Sequence, residues 1–227
     1  MKHPLDRPIW SALTTRQLDF GAGTGLARRY RPEYLPFAAT GTDDPGALAD
    51  LAGLAQPGET LFFLMADPVT PLPGFEATTT ADAVQMIAQT VPMPAADTAI
   101  EPLGPDDAEE MLALATLTKP GPFSLKSGML GRFWGVRKDG RLAAMAGERM
   151  KQPGFTELSG VCTHPDFRGE GYARRLSLHV AARILEVGDQ PYLHAYAVND
   201  AAIRLYESIG FALRSTMHVA ALRRIGA

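Results

Sequence analysis

The sequence predicts an α/β (α+β) fold: a mixed central sheet whose antiparallel strands come first, with flanking helices and a smaller α/β region ahead of it. Three observations predict it. Asp139-Gly140 separates two strand-like runs, "RFWGVRK" and "RLAAMAGERM". A stretch with two glycines, "HPDFRGEGYARR" at residues 164–175, joins a strand-like run to a helix-like one. From Pro105 onward, periodicity and turn residues give the order α, β, β, β, α, β, α, β.

The elements follow in chain order. "FGAGTGLARRY", from Phe20, is glycine-rich but has no strand ahead of it, so it is expected to be a loop. "DDPGALADLAGLA", from Asp43, reads as a capped helix, with "TLFFLM" and "AVQMIAQTV" as buried strands. Prolines 92, 94, 102 and 105 are expected to break any regular element over residues 90–107. A join there divides the chain into a region 1–95 and a region 100–227. Next, "PDDAEEMLALATLT" opens with proline and acids, which suit the positive end of a helix dipole. Asp-Gly favours a type I′ hairpin turn, since both residues need positive φ. A second turn at "KQPG" leads into "FTELSGVCT", making three antiparallel strands in succession. In "ARRLSLHVAARILE", Ala173, Leu176, Val180 and Ile184 form one apolar stripe. "PYLHAYAV" is a strand, Asn199 or Asp200 caps the helix "AAIRLYES", and Gly210 ends it. "LRSTMHVAAL" closes as a strand.

Bulk properties narrow the function classes. The 227 residues are 46% hydrophobic and 21% charged with net charge -3, a balance without the positive field of a nucleic-acid binder. The single cysteine, Cys162, excludes an internal disulfide and fits a reducing cytoplasm. The start "MKHPLDRPIW" does not read as a secretion signal, and no apolar run approaches the roughly 20 residues of a membrane helix. The histidines at 3, 164, 179, 194 and 218 form no metal-ligand spacing with a carboxylate, so no metal is expected.

A helix entered from a strand through glycines aims unpaired N–H groups and the positive end of its dipole at one spot, where an anion fits. Gly169 and Gly171 let phosphate oxygens approach the backbone, and Arg168 adds a charged donor. No G-x-x-x-x-G-K-[ST] string exists. A dinucleotide fingerprint fails because Asp189 lies before its strand rather than at the end of one. The remaining pattern is R-x-x-G-x-[GA], matched by Arg168, Gly171 and Ala173. With "VCTHPDF" before it and "VNDAAIRLYESIGF" after it, residues 100–222 resemble the GNAT superfamily of acyl-CoA-dependent N-acetyltransferases. The N-terminal region is similar to the degenerate first half of some two-part members.

The resemblance implies a GNAT-like sheet with a phosphate-binding loop, acetyl-CoA as cosubstrate, and acyl transfer to a primary amine by direct attack in a ternary complex. Backbone groups of Val161, Cys162 and Thr163 would pair with the pantetheine arm as an added strand does. Gly169, Glu170, Gly171, Tyr172, Ala173 and Arg174 would hold the pyrophosphate with Arg168, while Arg175 meets solvent or further phosphate. Tyr206 stands where family members place a general acid for the departing thiolate, with core packing as its plainer reading. Asn199 reaches the pantetheine amides or only caps its helix. Glu157, on the strand leading to the cofactor, and Glu148, on its neighbour, are candidate bases. Strand alternation puts Glu157, Ser159, Val161 and Thr163 on one face and Leu158, Gly160 and Cys162 on the other. Cys162 reads as an apolar filler rather than a nucleophile. Phe133 and Trp134 line the acceptor cleft or pack the core. Residues 120–130, together with the N-terminal region, are expected to shape the acceptor pocket. The acceptor is a small molecule or a peptide amine, with neither nucleic acid nor membrane as partner; a homodimer is compatible. The alternative on the same fold is a non-catalytic acyl-CoA sensor, which keeps the loop but needs neither Tyr206 nor a carboxylate. A nicotinamide-dependent oxidoreductase is the outlying reading.

Overall fold

In a computed structural model, residues 3–94 and 96–226 are described. The chain opens with α1 (Pro8–Leu13), β1 (Gly21–Ala22), β2 (Ala27–Tyr30), β3 (Ala38–Thr40) and α2 (Pro45–Gly53). It continues with β4 (Thr60–Met65), β5 (Phe75–Ala88) and β6 (Ile100–Leu103). Then come α3 (Ala108–Thr118), β7 (Phe133–Lys138), β8 (Arg141–Gln152) and β9 (Phe155–Thr163). Finally come α4 (Tyr172–Glu186), β10 (Gln190–Tyr196), α5 (Asp200–Ser208) and β11 (Phe211–Arg224). From α3 the order is the expected α, β, β, β, α, β, α, β.

The local signals behave as their chemistry dictates. Asp139 and Gly140 take φ of 52° and 74°, the pair of left-handed residues a type I′ turn requires. Asn199 caps α5 by accepting the Ala202 N–H at 3.1 Å. Gly210 follows α5 at φ 93°, and a Cβ there would stand 1.8 Å from the Thr90 carbonyl oxygen. No other residue fits.

Two expectations are corrected. "FGAGTGLARRY" is not a loop: β1 and β2 form a hairpin, Gly21 opposite Tyr30, whose turn carries Gly23 and Gly25 at positive φ. The proline-rich join contains β6, with Pro102 paired to Trp134 of β7. β6 is the last strand of its sheet, so the missing N–H of Pro102 costs no ladder bond to a further strand.

The main sheet has eight strands in the order β4-β11-β5-β10-β9-β8-β7-β6; β1, β2 and β3 form a separate three-stranded sheet. Strands from both sides of the join therefore share one sheet. β5 lies between β10 and β11, pairing Ala83 to Ile87 with β10 and its whole length with β11. The parallel pairing of β9 with β10 runs only from Phe155↔Gln190 to Glu157↔Tyr192. Beyond it, β10 stays with β5 as far as Tyr196, and β9 stays with β8 as far as Thr163. The two strands diverge, and one edge of β9 is left open over residues 158–163.

One face of the sheet is covered by α4, whose Leu176, Val180 and Ile184 pack with Trp134, Leu158 and Leu193. The other carries α3, through Met111 and Leu114 against Phe133, Met145 and Cys162. The N-terminal elements extend that second layer, where Ile9, Leu13, Tyr30 and Phe37 meet Leu64, Met150 and Met217.

Candidate functional site

The divergence of β9 and β10 opens a cleft of about 560 Å³. Val161, Cys162 and Thr163 form one wall, the turn and first residues of α4 another, and Asn199 and Tyr206 of the α5 segment a third. The turn starts with His164, whose Nδ1 accepts the Asp166 N–H at 3.2 Å, and runs through a 3-10 turn at Pro165–Phe167. Gly169 and Gly171 have φ of 85° and 76°, and a Cβ on either would meet nothing within 4 Å. Glycine is required there by backbone conformation, and the space beside it is open to a ligand. The first bond into α4 is Arg175 N–H to the Gly171 carbonyl at 3.1 Å, so the preceding N–H groups at the helix start remain unpaired within the helix. Gly171 offers no side-chain cap.

The side chains around this cradle divide into two sets. Arg168 and Arg174 line the cleft and make no ion pair among the described residues. Arg175 turns away, bonded to Asp97 through Nε and Nη2 at 2.6 and 2.8 Å. Glu170 takes Lys138 at 2.6 Å and the Tyr172 hydroxyl at 2.8 Å, so of the expected cradle only its backbone is available. Asn199 spends Oδ1 on its cap while still lining the cleft.

Tyr206 is 8% exposed and lies where this cleft meets a second cavity of about 180 Å³. Burial, and then the neighbouring Cys162, push its phenol above the ordinary tyrosine value. It stays protonated at neutral pH, so its hydroxyl has a proton to donate. Cys162 is pushed up to about 11 by burial, against hydrogen bonds from Thr118 and from the Met145 backbone. A thiol so held is not a nucleophile at neutral pH.

The expected alternation along β9 fails at Gly160. Three steps on β9, Ser159 to Cys162, face two on β8, Gly147 to Met145, so β9 carries a bulge, and Gly160 sits there at φ 65°. Leu158 and Val161 consequently both meet the α4 side, while Cys162 packs on the α3 side. A Cβ at Gly160 would come within 2.9 Å of the Phe133 ring, which fills the bulge. Phe133 and Trp134 belong to the packed layers on opposite faces and line neither the cleft nor the second cavity.

Neither expected base is free. Glu148 is buried, bonded to Arg132 at 2.7 Å and Lys151 at 2.8 Å, and lines neither cavity. Burial alone would raise its carboxyl; Arg132 and Lys151 outweigh that and lower it. Glu157 is fully buried and receives Arg149 Nε and Nη2 at 2.8 Å each, with His194 Nδ1 at 2.8 Å. Burial works against its charge, yet the Arg149 charge and these hydrogen bonds hold it at about 2. A carboxylate so satisfied is a poor proton acceptor. The rest of the network assigns the imidazole. Arg214 donates to Gln85 Oε1, so Gln85 Nε2 donates to the Leu5 carbonyl and to His194 Nε2, and His194 gives its Nδ1–H to Glu157.

The second cavity is the acceptor-sized space beyond Tyr206. Residues given no site role from the sequence line it: Arg149, His194, Lys119, and Phe37 and Phe62 from the N-terminal region. Of the segment 120–130 expected to shape an acceptor pocket, Pro120, Gly121 and Pro122 line this cavity. Arg149 carried no signal, because counting outward from the Pro153-Gly154 turn puts Met150 opposite Glu157. A bulge in β8 between Glu148 and Lys151 brings Arg149 there instead. Among the described residues no group of three His, Cys, Asp or Glu side chains is placed to hold a metal. No described helix is long and apolar enough to cross a membrane.

Comparison with known proteins agrees with this architecture. The FR47-like protein family matches residues 133–219. A mycothiol acetyltransferase of Nocardiopsis dassonvillei is 33% identical over 96 residues, which are 38% of this chain and 29% of that protein. The match thus spans less than a third of that relative. The crystal structure of a GNAT-family acetyltransferase from Novosphingobium aromaticivorans is 46% identical, with TM-score 0.93 over 99% of this chain and all of the other. A GCN5-related N-acetyltransferase from Kribbella flavida shares the fold at 16% identity, with TM-score 0.62 over 96% of each chain. At 46% identity over the full length of a GNAT-family structure, with the cleft, glycine turn and diverging strands in place, the chain belongs to the GNAT family of acetyltransferases.

Proposed function

We propose that the protein transfers an acetyl group from acetyl-CoA to a primary amine by direct attack in a ternary complex. The observation that carries this reading is the pair of adjoining cavities, one running from the open glycine turn along residues 161–163 of β9 and the other beyond Tyr206, which share Val161, Asn199, Ala202 and Tyr206 in their walls. The N–H groups between Gly169 and Arg174, with Arg168 and Arg174, suit a pyrophosphate. Residues 161–163 suit the amides of a pantetheine arm laid along an unpaired strand edge. The arm would then end at Tyr206.

There the amine nitrogen attacks the thioester carbon, the C–N bond forms and the C–S bond breaks. Tyr206 gives its proton to the departing sulfur, and the proton lost by the amine leaves through the open acceptor cavity to water. Among the described residues no carboxylate lines that cavity, so the acceptor enters as the neutral amine. Glu157 serves as the anchor that holds Arg149 and His194 in its wall.

Thiol release from acetyl-CoA with a panel of amines tests this. Turnover is expected, and Tyr206→Phe should lower kcat by about 10²-fold or more while CoA affinity changes little. Tight acetyl-CoA binding with no turnover on any amine supports the sensor reading instead.

A further inference from the structure

The acceptor cavity has a charge character that bears on what enters it, an inference resting on the transferase reading above. Lys119 and Arg149 line it, and among the described residues no aspartate or glutamate does. Lys119 is held at the C-terminal end of α3 in a left-handed conformation, φ 52°, by its N–H bond to the Ala115 carbonyl, and it makes no ion pair among the described residues. Arg149 is fixed from behind. Glu157 takes its Nε and Nη2, and the guanidinium carbon lies 4.9 Å from the centre of the Phe37 ring. Nη1 has no acceptor among the described residues. It lies beside Gly121, which also lines the cavity: a Cβ built there would stand 3.9 Å from it.

A guanidinium with one edge neutralised and the other presented, held rigid by an ion pair and a ring, is a preorganised site for an oxygen anion. Lys119 adds a second positive charge on the same wall. Phe37, Phe62, Leu64 and Val219 give the lining an apolar patch beside the polar His194, Asn199 and Tyr206. Polyamines, aminoglycosides and lysine side chains would bring further cations against Lys119, which has no ion pair among the described residues, and against a guanidinium whose free edge can only donate, which is unfavourable in a partly desolvated space.

We propose that the acceptor is an amine that also carries a carboxylate, with an apolar body, as in an apolar amino acid, and that Arg149 binds that carboxylate through Nη1. The apolar side chain lies on Phe37 and Phe62 while the amine faces Tyr206. Arg149 thereby sets specificity without touching the thioester.

Acceptors sharing one body separate this from general amine transfer: phenylalanine, phenylalaninamide and phenethylamine, with spermidine as the cationic case. Phenylalanine is expected to exceed each of the others in kcat/KM by about tenfold or more, the weight of one hydrogen bond to a charged group. Phenylpropionate, which lacks the amine, should compete with the acceptor, and phenylpropanamide should not. Arg149→Lys keeps a charge opposite Glu157; its loss should fall on the KM for phenylalanine more than on kcat, narrowing the gap to phenethylamine. If that variant fails to fold, the acceptor and inhibitor comparisons on the unaltered chain decide. Equal or better use of phenethylamine or spermidine overturns the inference and leaves acetyl transfer standing. Thiol release with none of the four overturns both.

Discussion

Glu157 shows how far a side chain's surroundings can reverse its chemistry. On a strand drawn flat it is an exposed carboxylate beside the cofactor edge, a natural base. Folded, it is an anion with no solvent contact, balanced by Arg149 and bonded to His194. Removing one partner of such a pair leaves the other charge buried, so Glu157→Gln should cost about 3–5 kcal/mol in urea unfolding. Arg149→Met added to it should recover part of that loss; a cost no larger than that of an exposed substitution would show the pair to be idle. The same pair sets an acid limit. The folded carboxyl sits at about 2 against an ordinary 4.5, so its contribution is complete above 4.5 and lost as pH falls through the interval toward 2. Glu157→Gln should flatten the fall in Tm across that window.

The bulge in β9 is the smallest element on which the cofactor edge depends. Gly160 at φ 65° shifts the phase of Val161, Cys162 and Thr163 relative to Phe155–Leu158, which releases them from simple alternation. Gly160→Ala meets two penalties together, the left-handed conformation and the Phe133 ring at 2.9 Å. It should cost about 1–2 kcal/mol from the backbone term alone. CoA affinity, measured by calorimetry at a temperature where the variant is folded, should fall as well. Unchanged affinity in a destabilised variant would detach the bulge from ligand binding. Neither bulge was legible beforehand: a lone glycine in a strand pattern marks a bulge or merely a close contact, and β8 offers no glycine at its own irregularity. The turns were legible because Asp139-Gly140 and Gly210 declare a backbone conformation that few other residues adopt.

Across the molecule, β5 is the element that ties the two regions together. It fills the position between β10 and β11, and β4 extends the sheet beyond β11. The N-terminal layer also supplies Phe37 and Phe62 to the acceptor wall and Leu5 and Gln85 to the network behind it. A chain beginning at residue 100 would expose both edges that β5 covers, one on β10 and one on β11, and open the core where Met86 and Ala88 now pack. It should lack a cooperative thermal transition and aggregate. Cooperative unfolding of residues 100–227 alone would establish them as an independent folding unit.

Read from the chain alone, the order of elements from α3 onward, the hairpin, the Asn199 cap of α5 and the glycine turn were all accessible, since each depends on residues within a few positions of one another. The cap expected at the start of α2 is not made, since Asp44 forms no side-chain bond to that helix. Sheet position, the divergence of β9 from β10, the pairing of Glu157 with Arg149 and the charge of the acceptor wall were not accessible. They arise where segments far apart in sequence meet, and whether a carboxylate faces water or a guanidinium is settled by that packing, which no local spacing encodes.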